Sequence, residues 1–580
     1  MSGKHNEEQR RLAAAIEGRA AAGQIDRRSV LRLLAALGVG SATALASADR
    51  ALAQAATRGP ARRHGDDTYD YIVVGAGSAG CVIAARLSEN PACRVLLIEA
   101  GGSDIAQPAL ESPALWTSNF GTRVDWAYRT APQAMAAGRV IDWPRGKVIG
   151  GSSSINAMIW VWGHPADFDQ WAYCGARGWD YAQLQPIFQS IETCSRTNSN
   201  NNRGSAGPMF VGPVAAPRPL TAGFLQSCRA AGHRVMEDVS APVRDGAGYM
   251  DLNIKDGRRF SVAHGYLLPS LDRPNLTLLT NARAERLLFK GTRCSGVQLR
   301  IDGMRHEIAA EQETLVCAGA VDSPRLLMTS GIGDADELRR NGIATVVNLP
   351  GVGKNLQDHL LIPGFVAEAR TPIPAGARAE SHLFFRSAAG TYSPDIQALF
   401  SPSVYGTSAI ARNAGFSILL ALVRPESRGR IKIASADPTG PLLIDPGYLS
   451  AAADLDALMA AIDQARELGS SAALSEWRKR EIPRAPSGRH ELREFIAGNV
   501  GSYWHPVGTC AMGLHDEAVV DPGLRVYGVT GLRVADASIM PTITSGNTNA
   551  PTIVIAEQAA QMIKRPRQTH APAGPTLADG

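Results

Sequence analysis

Residues 69–101 read YDYIVVGAGSAGCVIAARLSENPACRVLLIEAG. The opening Tyr71-Ile72-Val73-Val74 is a short apolar run rich in β-branched residues, the pattern of a central parallel strand buried on both faces. Gly75, Gly77 and Gly80 follow at G-x-G-x-x-G spacing. Glycine at these places lets the chain turn tightly, bring bare backbone against a pyrophosphate and pack the next helix close to the strand. That helix opens at Ser78 and Ala79, and Cys81 to Leu87 keeps an apolar face. Its first N–H groups and positive dipole end would point at bound phosphates. A second strand, Val95-Leu96-Leu97-Ile98, ends in Glu99, 24 residues after Gly75, where a carboxylate can accept hydrogen bonds from ribose hydroxyls. A glycine cluster alone is weak. Strand, glycines, helix, strand and terminal acid in that order specify a dinucleotide site, and Glu99 argues against a 2′-phosphate, which it would repel.

Outside this stretch the chain is 580 residues long, 45% hydrophobic and 19% charged, which suits an ordinary globular protein of two lobes. Residues 24–56, QIDRRSVLRLLAALGVGSATALASADRALAQAA, read as a twin-arginine export signal. Arg27 and Arg28 form the pair, an apolar segment runs from Leu33 to Ala46, and Ala53-Gln54-Ala55 offers a small-x-small cleavage site. The apolar run falls short of the ~20 residues that span a bilayer. The expectation is therefore a signal over 1–55, a periplasmic mature chain without a membrane span, and a disordered tail at 567–580. The twin-arginine route moves folded proteins, which suits a chain that acquires a nucleotide cofactor before export. Setting aside the eight basic and five acidic residues of 1–55 leaves 51 against 49, a net charge of +2, so no nucleic-acid partner is implied. The eight cysteines form no C-x-x-C pair, which speaks against zinc and iron–sulfur sites and leaves no metal site expected.

Three further stretches carry a family likeness: RGKVIGGSSSINAMIWVWG at 145–163, GAVDSPRLLMTSGIG at 319–333, and LPGVGKNLQDH at 349–359. With GAGSAG, with RPESRGRI at 424–431 and with HPVGTCAMG from His505, the chain resembles the glucose–methanol–choline oxidoreductases, a family of FAD enzymes, from about Tyr69 to Ile563. The resemblance implies an α/β chain, α+β overall. A Rossmann-like FAD-binding domain would cover 66–362, a substrate domain with an antiparallel sheet 363–500, and a return to the FAD domain carrying the catalytic pair 501–566. The loop Gly150 to Asn156 has glycines for close approach and hydroxyls for phosphate oxygens or ring heteroatoms. By resemblance it passes the flavin ring, so Val148, Gly151, Ser152, Asn156, Ala157, Met158 and Ile159 are cofactor positions. Ala284 falls near the adenine, Asp536 with Ala537 against the ribityl-phosphate region, and Ala318, Trp504, Asn547 and Thr548 complete the set. Members that attach FAD covalently carry a histidine where this chain has Ile155, so non-covalent FAD is expected.

Alternation and apolar runs predict strands at Leu276–Leu279, Ala284–Phe289, Thr314–Cys317, Ser381–Phe385 and Phe416–Leu422. Helices are expected over Asp454–Gly469, over Ala550–Ile563, and from Ser323-Pro324, a good N-terminal signal. The polar run Thr193–Gly207 reads as a solvated loop and Arg478–Arg484 as a solvated basic face.

The chemistry is expected in the C-terminal segment. Alcohol oxidation needs a base within reach of the hydroxyl, and histidine titrates in the useful range. The match to H-P-x-G-T-x-x-M-G identifies His505 as the family's flavin-side histidine. Asn549, 44 residues later, is expected to be its polar partner and to cap the last helix. The implied reaction is oxidation of a primary alcohol to the aldehyde, with a quinone or cytochrome as electron acceptor. The family also holds O₂-using oxidases and hydroxynitrile lyases, and a non-catalytic FAD-binding protein is a further alternative.

Overall fold

The computed structural model describes residues 68–565 apart from 104–106, 197–202, 375–378, 389–390, 406–408, 483–485 and 487. The expected export signal and C-terminal tail lie outside the described residues. The first strand, β1 (Thr68–Val74), is the centre of a seven-stranded sheet, and Ile72 and Val73 are wholly buried within it. It leads through the glycine turn into α1 (Ser78–Leu87), which returns to β2 (Val95–Ile98) in parallel register, Tyr71 opposite Val95 and Val74 opposite Ile98. The glycines are demanded by contact. A Cβ on Gly80 would stand 1.8 Å from the Gly75 carbonyl oxygen, and Gly75 itself sits at φ +99°.

Beyond β2 lies β3 (Leu276–Leu279), also parallel. On the other side β1 pairs with the C-terminal half of the long β4 (Met304–Val316), whose N-terminal half belongs to an antiparallel meander with Arg293–Ile301 and Ala282–Lys290. The C-terminal strand β5 (Leu532–Val534) joins β4 in parallel over Thr314–Val316. The parallel strands thus deliver their carboxyl ends, Val74, Ile98, Val316 and Val534, to one edge, where a doubly wound sheet holds its ligand.

The second sheet is antiparallel, in the order Arg478–Glu481, Leu360–Ala369, Gly415–Leu422, Ile396–Ser401, Ser381–Phe385 and Gly246–Tyr249. It does not keep to 363–500, since it starts at Leu360 and takes an edge strand from Gly246–Tyr249. Helix Ala452–Ser470 packs against it with Leu458, Ile462, Ala465 and Leu468 buried. Among the described residues no helix is long and apolar enough to cross a membrane.

Three local expectations are corrected. The helix expected at Ser323 starts four residues earlier, as α2 (Gly319–Thr329), with Pro324 inside it. Proline cannot donate to the carbonyl one turn back, and the Ala320 oxygen instead accepts from Thr509 Oγ1 at 2.7 Å. Arg478–Glu481 is an edge strand whose Lys479 and Arg480 pair with Glu368, charges of the kind that blunt exposed sheet edges. The run Thr193–Gly207 is not all solvated: Arg203 is 8% exposed and held by Glu192, Asp238 and Asp251. All eight cysteines are free thiols.

Candidate active site

A cleft of about 1790 Å³, its open mouth included, runs along the carboxyl edge of the parallel sheet from Glu99 and Glu285 to His505. Every expected cofactor residue lines it except Gly80, which sets the helix–strand distance, and Val148, which is fully buried behind it. The cleft fits FAD on features of its own. Gly77 borders it with no protein atom within 4 Å of where a Cβ would be, so the backbone there is bare toward the cleft. A Cβ on Gly151 would stand 2.7 Å from the Gly77 Cα, so the two glycine loops touch only because Gly151 lacks a side chain. Two helices, α1 and α3 (Asn549–Lys564), open onto the same cleft with no side-chain cap, leaving N–H groups and positive dipole ends for anionic and carbonyl oxygens. Glu99 accepts from the backbone N–H of Ala76 and Gly101 at 2.9 and 2.8 Å, so it also shapes the glycine turn. Burial pushes its carboxyl up to about 7. Asp536 accepts from Gly319 N–H at 2.8 Å and from Ser323 Oγ at 2.6 Å, tying β5 to the start of α2.

At the other end, the segments 355–362 and 501–507 run antiparallel. Gln357 and Val507 exchange backbone hydrogen bonds at 3.1 and 2.9 Å, Tyr503 N–H donates to the His359 carbonyl at 2.8 Å, and Leu360 pairs with Ser502. This ladder brings His359 against His505, with 2.9 Å between their Nδ1 atoms. Trp504, between Tyr503 and His505, is held at φ +61°, a conformation a bulky residue adopts only under constraint. The constraint is Asp358. Its Oδ1 accepts the His505 backbone N–H at 2.7 Å, while its Oδ2 accepts from the hydroxyls of Ser502 and Tyr448. Ser502 Oγ in turn accepts the Trp504 N–H at 2.7 Å.

The polar partner of His505 is Asn547, whose Nδ2 lies 3.2 Å from His505 Nε2 and 3.3 Å from the Tyr503 hydroxyl. Asn549, the expected partner, makes a different contact. Asn549 is the first residue of α3, with Thr548 in the cap position, and its Oδ1 accepts from Ser78 Oγ at 2.8 Å, joining the N-termini of α3 and α1. What aims Asn547 is the segment before it. Asn355 and Gln357 side chains each donate to the Pro541 carbonyl at 3.0 Å, Gln357 Oε1 accepts from Ile543 N–H, and Asp167 holds the N–H and hydroxyl of Ser545.

The network assigns the protons. An amide nitrogen only donates, so His505 Nε2 accepts and carries no proton. Its proton then sits on Nδ1 and is donated to Nδ1 of His359, whose own proton sits on Nε2. Burial holds both imidazoles uncharged. His359 is lowered to about 3, and His505 well below the ordinary histidine range, by burial first and then by His359 and Arg145. The outcome is a neutral imidazole whose unprotonated Nε2 accepts from Asn547 beside the cleft. Around it Trp116, Phe120 and Trp504 meet edge to face at 5.3 to 6.0 Å between ring centroids.

Sequence reasoning located His505 but missed His359, Tyr503, Asp358 and Arg145. The Asp-His pair ending LPGVGKNLQDH, directly before an apolar strand, was the available signal.

The chain is similar to known proteins over most of its length. Two family profiles, both described as GMC oxidoreductase, match residues 69–361 and 425–556. The chain is 41% identical over 539 residues to mitochondrial choline dehydrogenase of Homo sapiens, covering 86% of this chain and 90% of that one. It is 38% identical over 529 residues to alcohol dehydrogenase [acceptor] of Pseudomonas putida, covering 86% and 96%. Among solved structures, pyridoxine 4-oxidase from Mesorbium loti superposes with a TM-score of 0.82 at 37% identity, covering 85% of this chain and 99% of that one. Formate oxidase of Aspergillus oryzae does so with 0.80 at 26%, covering 86% and 98%. With both profiles matched and these identities over nearly the whole described chain, the protein belongs to the GMC oxidoreductase family of FAD-dependent oxidoreductases.

Proposed function

We propose that the chain oxidises a small primary alcohol to the aldehyde, with His505 as the base and Asn547 as its partner. The observation that carries this reading is the unprotonated Nε2 of His505 at the cleft, within 3.2 Å of Asn547 Nδ2. An alcohol hydroxyl at this place would give its proton to Nε2. The Asn547 amide would hold the oxygen in position as charge develops, and His359 would keep the imidazole in the required tautomer. Bound FAD supplies the acceptor for the hydride leaving the carbinol carbon. Trp116, Phe120 and Trp504 suit a substrate with an apolar body. The relatives named choline dehydrogenase and alcohol dehydrogenase [acceptor] support a CH–OH donor and an acceptor other than oxygen, such as a quinone or cytochrome. Non-covalent FAD and export to the periplasm belong to the same proposal, on Ile155 and on Arg27-Arg28.

A second reading, an oxidase passing electrons to O₂, is favoured by the likeness to pyridoxine 4-oxidase and formate oxidase. Anaerobic mixing of the holoenzyme with a panel of alcohols decides both points. Bleaching of the flavin by an alcohol is expected, and slow return of colour when air is admitted. Fast return would establish the oxidase. A panel that bleaches nothing while a cyanohydrin releases cyanide would replace the proposal with a lyase.

A further inference from the structure

Arg145 lies in the wall of the cleft at its His505 end. Its Nη2 donates to the Trp504 carbonyl at 2.6 Å and its Nε to the Pro144 carbonyl. Among the described residues no carboxylate oxygen lies within ion-pair distance of it. The two nearest carboxylates are occupied by other donors. Asp125 accepts from the backbone N–H groups of Gly121, Ala127 and Arg145 itself, and Asp358 from Tyr448, Ser502 and the His505 N–H. Some withdrawn guanidinium groups in this chain are neutralised, Arg203 by three carboxylates and Arg533 by Glu313, whereas Arg259, away from the His505 end, is held like Arg145 by carbonyl and amide oxygens alone. Arg145 is half-buried in the cleft wall, and a partly desolvated charge without a counter-charge at a cleft points to a functional use.

We propose that Arg145 is a fixed, unpaired cation of the cleft whose charge raises the reduction potential of the bound FAD and keeps His505 in its uncharged, base-competent form. A positive charge in this wall favours any negative charge that gathers in the cleft, because burial weakens screening. Toward His505 the same charge opposes a second proton on the imidazole. The titratable and charged groups around His505 are Arg145, His359, Tyr503 and Asp358. Tyr503 is held in its neutral form by burial and His359 is uncharged. Asp358 is turned to backbone and hydroxyl donors, so Arg145 is the charge on the cleft side. It is a positioning residue, acting through FAD and His505. The His505 half of the proposal rests on the reading of His505 as the base, while the FAD half does not.

The test compares Arg145→Gln, which keeps hydrogen-bond donors and loses the charge, with Arg145→Lys, which keeps the charge and loses the planar fork. Two readouts on the holoenzymes need no alcohol: the FAD midpoint potential against reference dyes, and the affinity for sulfite, an anion that adds to electron-poor flavins. For Arg145→Gln, sulfite binding is expected to weaken about tenfold or more and the potential to fall by about 30 mV, the equivalent of tenfold for a two-electron couple. The acid limb of alcohol-driven bleaching should move to higher pH. Arg145→Lys should stay near the wild type in all three. Potentials and sulfite affinities unchanged in Arg145→Gln would overturn the proposal, as would an Arg145→Lys variant that falls equally far, the mark of a purely structural tether. If Arg145→Gln does not retain FAD, Arg145→Lys alone carries the test. Its potential should drop further than that of the wild type as pH rises and the lysine loses its proton, and parallel curves would overturn the proposal. A normal potential response without the shift of the acid limb would instead overturn the assignment of His505.

Discussion

Replacing Asn547 by aspartate changes one donor into a negative charge at the atom that is meant to stay unprotonated. At the present 3.2 Å from His505 Nε2, a unit charge at an effective dielectric constant of about 20 favours the imidazolium by about 5 kcal/mol. That corresponds to a pKa higher by at most about 4, and by about 2 to 4 once screening through the cleft is allowed for. In the wild type the imidazole lies well below the ordinary histidine value, so a group whose pKa is lowered by folding stays neutral through the whole working range. Its acid limb therefore lies far to the acid side of pH 6.5. In Asn547→Asp that limb should move by about 2 to 4 pH units toward the neutral range, with single-turnover bleaching falling about tenfold per pH unit below it and recovering as pH is raised. Asn547→Ala, which removes only a hydrogen bond worth about 0.5 to 3 kcal/mol, should lose roughly 2- to 150-fold with little movement of the limb. Asn549→Asp is the control, because its oxygen accepts from Ser78 and has no contact with His505. Anaerobic stopped-flow reduction across pH, with FAD content measured for each variant, reads all three. An acid limb that moves in Asn549→Asp and stays fixed in Asn547→Asp would refute the assignment.

The other expectations are narrower. His505→Ala should keep its FAD and bleach about 10² to 10⁴ times more slowly, with no acid limb; wild-type bleaching in that variant would place the base elsewhere. Acid precipitation should free the flavin into the supernatant, since Ile155 offers no nucleophile, and yellow colour left in the washed pellet would show a covalent link. Arg27→Lys with Arg28→Lys should keep the holoenzyme in the cytoplasm, and normal amounts of the double variant in the periplasm would remove the basis of the export proposal. Thr509→Val leaves the Ala320 carbonyl without its donor at the proline inside α2, a loss of about 1 to 3 kcal/mol that should lower the apparent Tm. An unchanged Tm would mean that the carbonyl finds water.

The cofactor half of the molecule was legible because its determinants are local. Glycines, a β-branched strand and a terminal acid within 33 residues fix β1, α1 and β2 against each other, and the lining residues follow from them. The reacting end was legible only in part because its geometry is made by contacts between distant segments. His359 and His505 are separated by 146 positions and meet through a ladder that no pattern in either segment announces. Asn547 and Asn549 flank one threonine at the start of a helix, and the resemblance pointed to Asn549, whereas the residue within hydrogen-bond distance of His505 is Asn547. The choice is made by Gln357 and Asp167, which grip the segment up to Ser545. Arg203 was read as solvated from its polar neighbours, although it is the counter-charge for buried Glu192 and Asp251.

In the proposed reaction His505 takes the proton of an alcohol hydroxyl while hydride leaves the carbinol carbon for FAD. The most direct measurement is anaerobic stopped-flow bleaching by an alcohol found in the panel, compared with the same alcohol deuterated at the carbinol carbon. Deuteration is expected to slow bleaching several-fold in the wild type, and His505→Ala to be slower still with the isotope effect retained. Bleaching that ignores deuterium in both enzymes, or that proceeds at the wild-type rate without His505, would contradict the proposed reaction.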